Sequence, residues 1–420
     1  MNCMINNADR LSSLPEEVHS HILSLMPTKF AVRTSILSKI WRYKWTLVTN
    51  FDFDDSHPFH DLHCFTEFVD RVLELQKSPQ VNLFRMCFSE MWVKNSNVSK
   101  WIDAAVKLNV SELDVKAILF ELPLCLFTCR TLTKLRIDLD TQYLDDWECP
   151  SPVNLPFLKT LDIVVFRNPF LNAFKLIPGC PMLESLSLHV QFSSNEDDYI
   201  FNIPNLKRLK LTFLKAEFVN NRILLHVPNL EYLLLGGGSI LVMEDMPSLV
   251  EASVLVGDTK VDMWVEFLKR ITGVKSLTTS LSHLYAPFAS PLPVFPNLDH
   301  LQLKSFCHSF LESTPKLKHL CIESCTHWVE PKLVPECMLS NLTTIKFLHC
   351  DGEECDIQLL EYMLRNAKVL KTVSITWGYM CREAGKQMQL ATQLLKIPRA
   401  SRHCEIHLLG SCSSLTVFAK

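Results

Sequence analysis

The sequence contains no run of about 18 unbroken apolar residues, so no segment has the length to cross a bilayer as a helix. The longest approach, Leu230 to Met243, is interrupted by Gly236, Gly237 and Gly238. The first ten residues are polar and lack the apolar core of a signal peptide, which leads us to expect an intracellular chain in the nucleus or cytoplasm. Charge of one sign is missing too: 42 Lys and Arg face 45 Asp and Glu, and the bases are scattered. That balance excludes nucleic-acid backbone binding as the main task.

Chemistry-bearing motifs are equally scarce. Sixteen cysteines include no Cys-x-x-Cys pair, and an intracellular compartment is reducing, so no disulfide framework is expected. His57, His60, His63 and Cys64 are residue types that bind zinc, but no second ligand pair accompanies them. The pairs Cys321 with Cys325 and Cys350 with Cys355 fail on the same ground, so we expect no metal. The three glycines 236–238 follow a predicted strand without the Lys-Ser/Thr of a phosphate loop and read as a bend. No Gly-x-Ser-x-Gly nucleophile turn occurs. No catalytic residue can be named, and no cofactor is implied.

What the chain does have is a repeat. Between Leu155 and Ile375 one phrase returns: Pro156-Phe-Leu158-Lys-Thr-Leu161-Asp-Ile163, Pro181-Met-Leu183-Glu-Ser-Leu186-Ser-Leu188, Pro204-Asn-Leu206-Lys-Arg-Leu209-Lys-Leu211 and Pro228-Asn-Leu230-Glu-Tyr-Leu233-Leu-Leu235. It comes again at Pro296 to Leu303 and Pro315 to Ile322. With degenerate copies the middle apolar residue runs through Leu113, Leu135, Leu161, Leu186, Leu209, Leu233, Ala252, Leu277, Leu301, Leu320, Ile345 and Val373. The steps of about 19 to 28 residues are those of leucine-rich repeats, one short strand and a return segment per unit. A single unit cannot bury its apolar edge, so the copies must stack into a solenoid.

A strand alternates its side chains between two faces. The leucines therefore point inward, and the residues flanking each middle leucine lie on the opposite, concave face: Thr160 and Asp162, Ser185 and Ser187, Arg208 and Lys210, Tyr232 and Leu234, His300 and Gln302, His319 and Cys321. Extended faces of this kind are used to bind proteins. We take Arg208, Lys210, Tyr232, His300, Gln302 and His319 as candidate target contacts. They form no basic cluster large enough for an anionic cofactor.

The chain opens with a helix signal. Ser13 can cap with Glu16, Pro15 sits in the first turn, and Leu14, Val18, Ile22 and Leu25 share a face until Pro27. Two short helices follow, Lys29 to Leu37 and Ser38 to about Leu47. So small a segment cannot hide Leu23, Met26, Phe30, Ile36, Leu37, Ile40, Trp41 and Trp45 by itself. It needs a partner protein or the rest of the chain.

Leu14-Pro15-Glu16-Glu17, Ile22-Leu23-Ser24-Leu25-Met26-Pro27-Thr28-Lys29, Ser35-Ile36-Leu37-Ser38-Lys39 and Trp41-Arg42-Tyr43-Lys44-Trp45 resemble an F-box, in particular those of the plant family that joins an F-box to leucine-rich repeats and a C-terminal FBD domain. Where that family usually has a basic residue before the first Trp, this chain has Ile40. Glu361 to Ala367, Val369-Leu370-Lys371, Ile397-Pro398-Arg399-Ala400-Ser401 and Cys404-Glu405-Ile406 resemble the FBD domain.

The expected fold is α/β: a three-helix F-box over 9–50, a connector leading into the solenoid over 51–109, a curved leucine-rich-repeat solenoid over 110–334 and an FBD cap over 335–409. Phe51 to Asp55 reads as an acidic turn, followed by a helix from Phe65 to Gln76 and a strand from Val81 to Phe88. The resemblance implies a non-catalytic substrate-recognition subunit of a Skp-cullin-F-box ubiquitin ligase. Its F-box would bind a Skp-type adaptor, and through it a cullin-RING ligase, while the repeats hold an unidentified target protein. By resemblance and helix face, Leu14, Pro15, Ile22, Leu25, Leu37 and Trp41 are the expected adaptor contacts. The alternative is a non-ligase scaffold whose F-box-like helices only cap the solenoid.

Overall fold

A computed structural model describes residues 11–55, 61–88, 93–117, 122–139, 151–165, 175–191, 199–214, 222–237, 240–243, 246–255, 261–280, 291–378, 384–409 and 414–417. His57 and His60 of the histidine cluster, and Gly238, lie outside these residues. The chain divides into two compact units, Met1–Ser193 and Ser194–Lys420.

The first unit begins with helices α1 (Glu16–Ser24) and α2 (Thr28–Arg33) and two 3-10 turns, Thr34–Ile36 and Trp41–Leu47. Pro15, not Ser13, occupies the N-cap of α1, and no side chain caps it. Strands β1 (Asn50–Asp54), β2 (Leu83–Cys87), β3 (Glu112–Ala117), β4 (Lys134–Leu139), β5 (Thr160–Val165) and β6 (Ser185–Gln191) form a parallel ladder in chain order. Helix α3 (Leu62–Leu75) follows β1, and α4 (Asn95–Lys107) follows β2.

β1 corrects the expected acidic turn. Phe51 and Phe53 alternate with the half-buried Asn50, Asp52 and Asp54 and are themselves at most 1% exposed, because the Phe-Asp-Phe-Asp order is a period-two strand signal. Behind them Phe53 lies 5.6 Å from Phe84, while Phe65, Phe88 and Trp101 meet edge to face at 5.4 to 6.3 Å. The Trp101 indole N–H donates to Asp70 at 2.7 Å, which satisfies the one polar atom that this aromatic core would otherwise strand.

In the second unit the main parallel ladder runs β8 (Arg208–Leu214), β10 (Tyr232–Gly236), β12 (Glu251–Leu255), β13 (Ser276–Thr279), β14 (His300–Ser305), β15 (His319–Ser324), β16 (Thr344–Cys350), β17 (Thr372–Trp377) and β18 (Glu405–Leu409). The antiparallel strand β19 (Ser414–Val417) ends it. A separate three-stranded parallel sheet joins β7 (Tyr199–Asn202), β9 (Arg222–His226) and β11 (Ile240–Met243), which lie in the return segments. Gly237 closes β10 at φ 90°, a backbone angle that favours glycine.

Every marker residue of the repeat falls in a strand, and the markers align. Leu113, Leu135, Leu161 and Leu186 are successive ladder partners in the first unit. Leu209, Leu233, Ala252, Leu277, Leu301, Leu320, Ile345 and Val373 are successive partners in the second. Each is at most 2% exposed. Each unit of the repeat thus buries its leucines against those of its neighbours, as a stack of interdependent strands must.

The carboxy-terminal segment adds helices α5 (Val261–Arg270), α6 (His308–Glu312), α7 (Glu336–Ser340), α8 (Glu354–Asn366) and α9 (Ala384–Lys396). Leu359, Leu360, Met363 and Leu364 of α8 are buried. No helix of the described residues is long and apolar enough to cross a membrane.

Candidate functional site

Two surfaces carry the candidate residues. In the amino-terminal helices, the inward side is held by specific bonds. His19 Nε2 donates to the Leu11 carbonyl at 2.6 Å, the Trp41 indole N–H donates to Ser12 Oγ at 2.9 Å, and the two rings meet edge to face at 4.9 Å. Lys44 pairs with Glu16 at 2.7 Å, and that hydrogen bond holds the Glu16 carboxyl below its ordinary range. Leu23, Ala31, Trp41, Trp45 and Val48 are buried.

The predicted apolar stripe of α1 is the outward one. Leu25 is 73% exposed and Val18 38%, while Leu14 and Ile22 are half-buried and Pro15 is exposed. Leu37 is 66% exposed, and beside it in sequence stand Ile36 at 81%, Ile40 at 56% and Tyr43 at 64%. Of the six expected adaptor contacts Trp41 alone is buried. Ile36, Ile40 and Tyr43 were absent from the expected set, although their bulk on so short a segment was the available signal. Large apolar side chains left in water are candidates for an interaction surface.

The second surface is the outward face of the ladders. In the first unit one row alternates in charge: Asp52, Arg85, Asp114, Arg136 and Asp162 are successive register partners. Arg85 lies 3.4 Å from Asp52 and 3.8 Å from Asp114, and Arg136 lies 3.9 Å from Asp114 and 3.5 Å from Asp162. Burial pushes the Asp52 and Asp114 carboxyls up, against the pull of these arginines.

In the second unit the structure brings the candidate residues together in pairs. The Arg208 guanidinium stands 4.3 Å over the Tyr232 ring, and Lys210 is the register partner of Leu234. His300 and His319 stack at 4.4 Å with planes 28° apart. Gln302 donates to Glu323 at 3.0 Å, and Lys304 also pairs with Glu323, at 3.5 Å. A cavity of about 300 Å³ opens over β13 to β16, lined by His300, His319, Gln302, Cys321, Lys346 and hydroxyls of Ser276, Thr278 and Thr344. Lys346 and the three hydroxyl residues were missed because they flank the degenerate markers Leu277 and Ile345.

The cysteines group differently from the pairs that are close in sequence. Cys325, Cys355 and Asp356 place their ligand atoms within 4.8 Å of one another, with Cys355 Sγ donating to the Cys325 carbonyl at 2.9 Å. Burial pushes the Cys325 thiol up to about 12 and the Asp356 carboxyl up to about 6. Asp356 Oδ2 already accepts the backbone N–H groups of Asp351 and Gly352. Of the histidine cluster, His63 faces Glu67 at 3.8 Å and Cys64 is exposed.

Comparison with known proteins matches three segments to family models: F-box domain over residues 11–52, the LRR repeats of FBD-associated F-box protein At5g56370 over 98–251, and FBD over 330–375. The chain is similar along its length to proteins of Arabidopsis thaliana. It is 30% identical to FBD-associated F-box protein At4g10400, covering 95% of this chain and 99% of that one. It is 30% identical to F-box/FBD/LRR-repeat protein At4g26340, covering 94% and 98%. It is 32% identical to F-box/LRR-repeat protein At3g59200, covering 97% and 89%.

Proposed function

Because the chain belongs to the plant F-box/FBD/leucine-rich-repeat family, we propose that it is the substrate-recognition subunit of a Skp-cullin-F-box ubiquitin ligase. The F-box helices bind a Skp-type adaptor, and through it the cullin-RING assembly, inside the cell. The repeats form a curved solenoid whose outward rows grip a target protein, and the FBD segment caps its carboxy-terminal end. The observation that carries the reading is the exposed set Leu25, Ile36, Leu37, Ile40 and Tyr43, which stays in water while the helices below it are already anchored.

Leu14, Pro15, Ile22, Leu25 and Leu37 contact the adaptor in this reading, and Trp41 supports them from beneath. The chain supplies no reacting group. It raises the effective concentration of a target lysine beside a charged conjugating enzyme, which converts an encounter into a quasi-intramolecular step.

One observation favours the second reading, a scaffold whose F-box only caps the repeats: α2 is bonded to β1 through Thr28 and Asp52. Co-expression with a Skp-type adaptor separates the two. The wild-type chain should elute as a stoichiometric complex, and a Leu25→Asp, Leu37→Asp variant, altered only at exposed positions, should elute folded and alone. A folded wild-type chain that ignores the adaptor gives the scaffold reading instead.

A further inference from the structure

The outward rows of the two units treat positive charge differently. In the first unit Arg85, Lys116, Lys134 and Arg136 each have an acidic partner within 4.0 Å. In the second unit Lys304 has Glu323, but Lys346 has no acidic partner among the described residues. Nor does either ring nitrogen of His319 meet a hydrogen-bond partner among them; its ring stacks on His300.

Lys346 and His319 share the cavity over β13 to β16. Two adjacent ladder rows build it: Ser276, His300, His319 and Thr344 in one, Thr278, Gln302, Cys321 and Lys346 in the other. These eight side chains offer an ammonium, two imidazoles, three hydroxyls, an amide and a thiol, without one carboxylate. The nearby acids already have partners. Asp299 is 2.5 Å from His300 Nδ1, leaving the other ring nitrogen, and Glu323 is held by Gln302 and Lys304.

The stacked rings lie 4.4 Å apart, and the carboxylate beside them, Asp299, bonds His300 and leaves the His319 ring nitrogens without a hydrogen-bond partner among the described residues. Burial first, then His300, with Lys318 and Lys346 adding to them, holds His319 below its ordinary range, and only Asp299 opposes this. Lys346 is therefore the one fixed charge of the lining, and no carboxylate pairs with it among the described residues. Its volume of about 300 Å³ is at the lower end for ligand sites and suits one side chain.

We infer that this pocket receives an acidic side chain of the target protein, its oxyanion held by Lys346 with the stacked His300 and His319, and that seating it draws a proton onto that histidine pair. The inference deepens the target-receptor reading and rests on it. It supplies the chemistry by which one point of the target is recognised.

The test follows histidine ring resonances of the full-length chain, assigned with His300→Gln and His319→Gln variants. The probes are the N-acetyl N-methylamides of glutamate, phosphoserine and glutamine, together with inorganic phosphate. At least one of the two anionic side-chain probes should move the His300 and His319 resonances toward their protonated positions and shift their titration to higher pH. The glutamine probe should not. Lys346→Ala should abolish the effect, and Lys304→Ala, whose ammonium already pairs with Glu323, should preserve it. Equal shifts with glutamine, no shift with either anionic probe, a response to inorganic phosphate alone, or survival of the effect in Lys346→Ala would each overturn the inference. The measurement needs no adaptor, so its failure leaves adaptor co-purification untouched, and failure of co-purification leaves the pocket result standing.

Discussion

The hydroxyl of Thr28 in α2 accepts the backbone N–H of Asp52 in β1 at 2.7 Å, and Thr28 is 1% exposed. A buried donor that loses its acceptor costs about 1 to 3 kcal/mol. Thr28→Val should lower the unfolding free energy by that amount while keeping the side-chain shape. Chemical denaturation of the two chains measures it, and an unchanged midpoint would show that water replaces the threonine.

Trp41 and Leu37 should separate stability from recognition. Trp41 is 5% exposed and bonded to Ser12, so Trp41→Ala should cost about 3 to 5 kcal/mol. Leu37 is 66% exposed, so Leu37→Asp should leave the melting curve nearly in place yet weaken adaptor capture. A Leu37 variant that binds the adaptor like the wild type would remove this residue from the interface.

The two faces of a repeat strand differ in the same way. Leu209 is fully buried, and Leu209→Ala should destabilise by about 2 to 5 kcal/mol. Arg208 is exposed over Tyr232, and Arg208→Ala should cost less than about 1 kcal/mol. Thermal unfolding of the pair reads the difference, and equal losses would contradict the assignment of faces.

Asp356 gives a pH signature. Burial pushes its carboxyl up to about 6, above the unfolded value near 4. The folded state therefore holds a proton that the unfolded state has lost, so stability from this group is full below about pH 4 and disappears as pH rises through about 6. The difference in unfolding free energy between wild type and Asp356→Asn should change across that window and level off above it. A difference independent of pH would mean that Asp356 ionises normally.

Much of this organisation is legible in the sequence, because the leucine spacing is a physical requirement of stacking. Leu113 through Val373 mark the strands and also their register, so His300 and His319 could be placed on one face from spacing alone. Residues on weaker copies were harder to find. Thr344 and Lys346 flank Ile345, where the proline-leucine phrase has decayed, and they complete the cavity all the same. The segment Phe51 to Asp55 departs from the expected acidic turn because the alternation of its two phenylalanines, not its acidic content, decides the backbone. The grouping of Cys325 with Cys355 and Asp356 joins β15's exit to the first turn of α8, a long-range contact that local spacing does not encode.

The bond between Thr28 and Asp52 has one more effect. β1 is the terminal strand of its sheet, and a terminal strand with unpaired amides is a template on which another chain can polymerise. α2 takes up the Asp52 amide and packs against β1 where a foreign strand would have to lie. The F-box segment thus also covers the edge of this sheet, so trimming it away to isolate the repeats should favour aggregation through the strand it had covered.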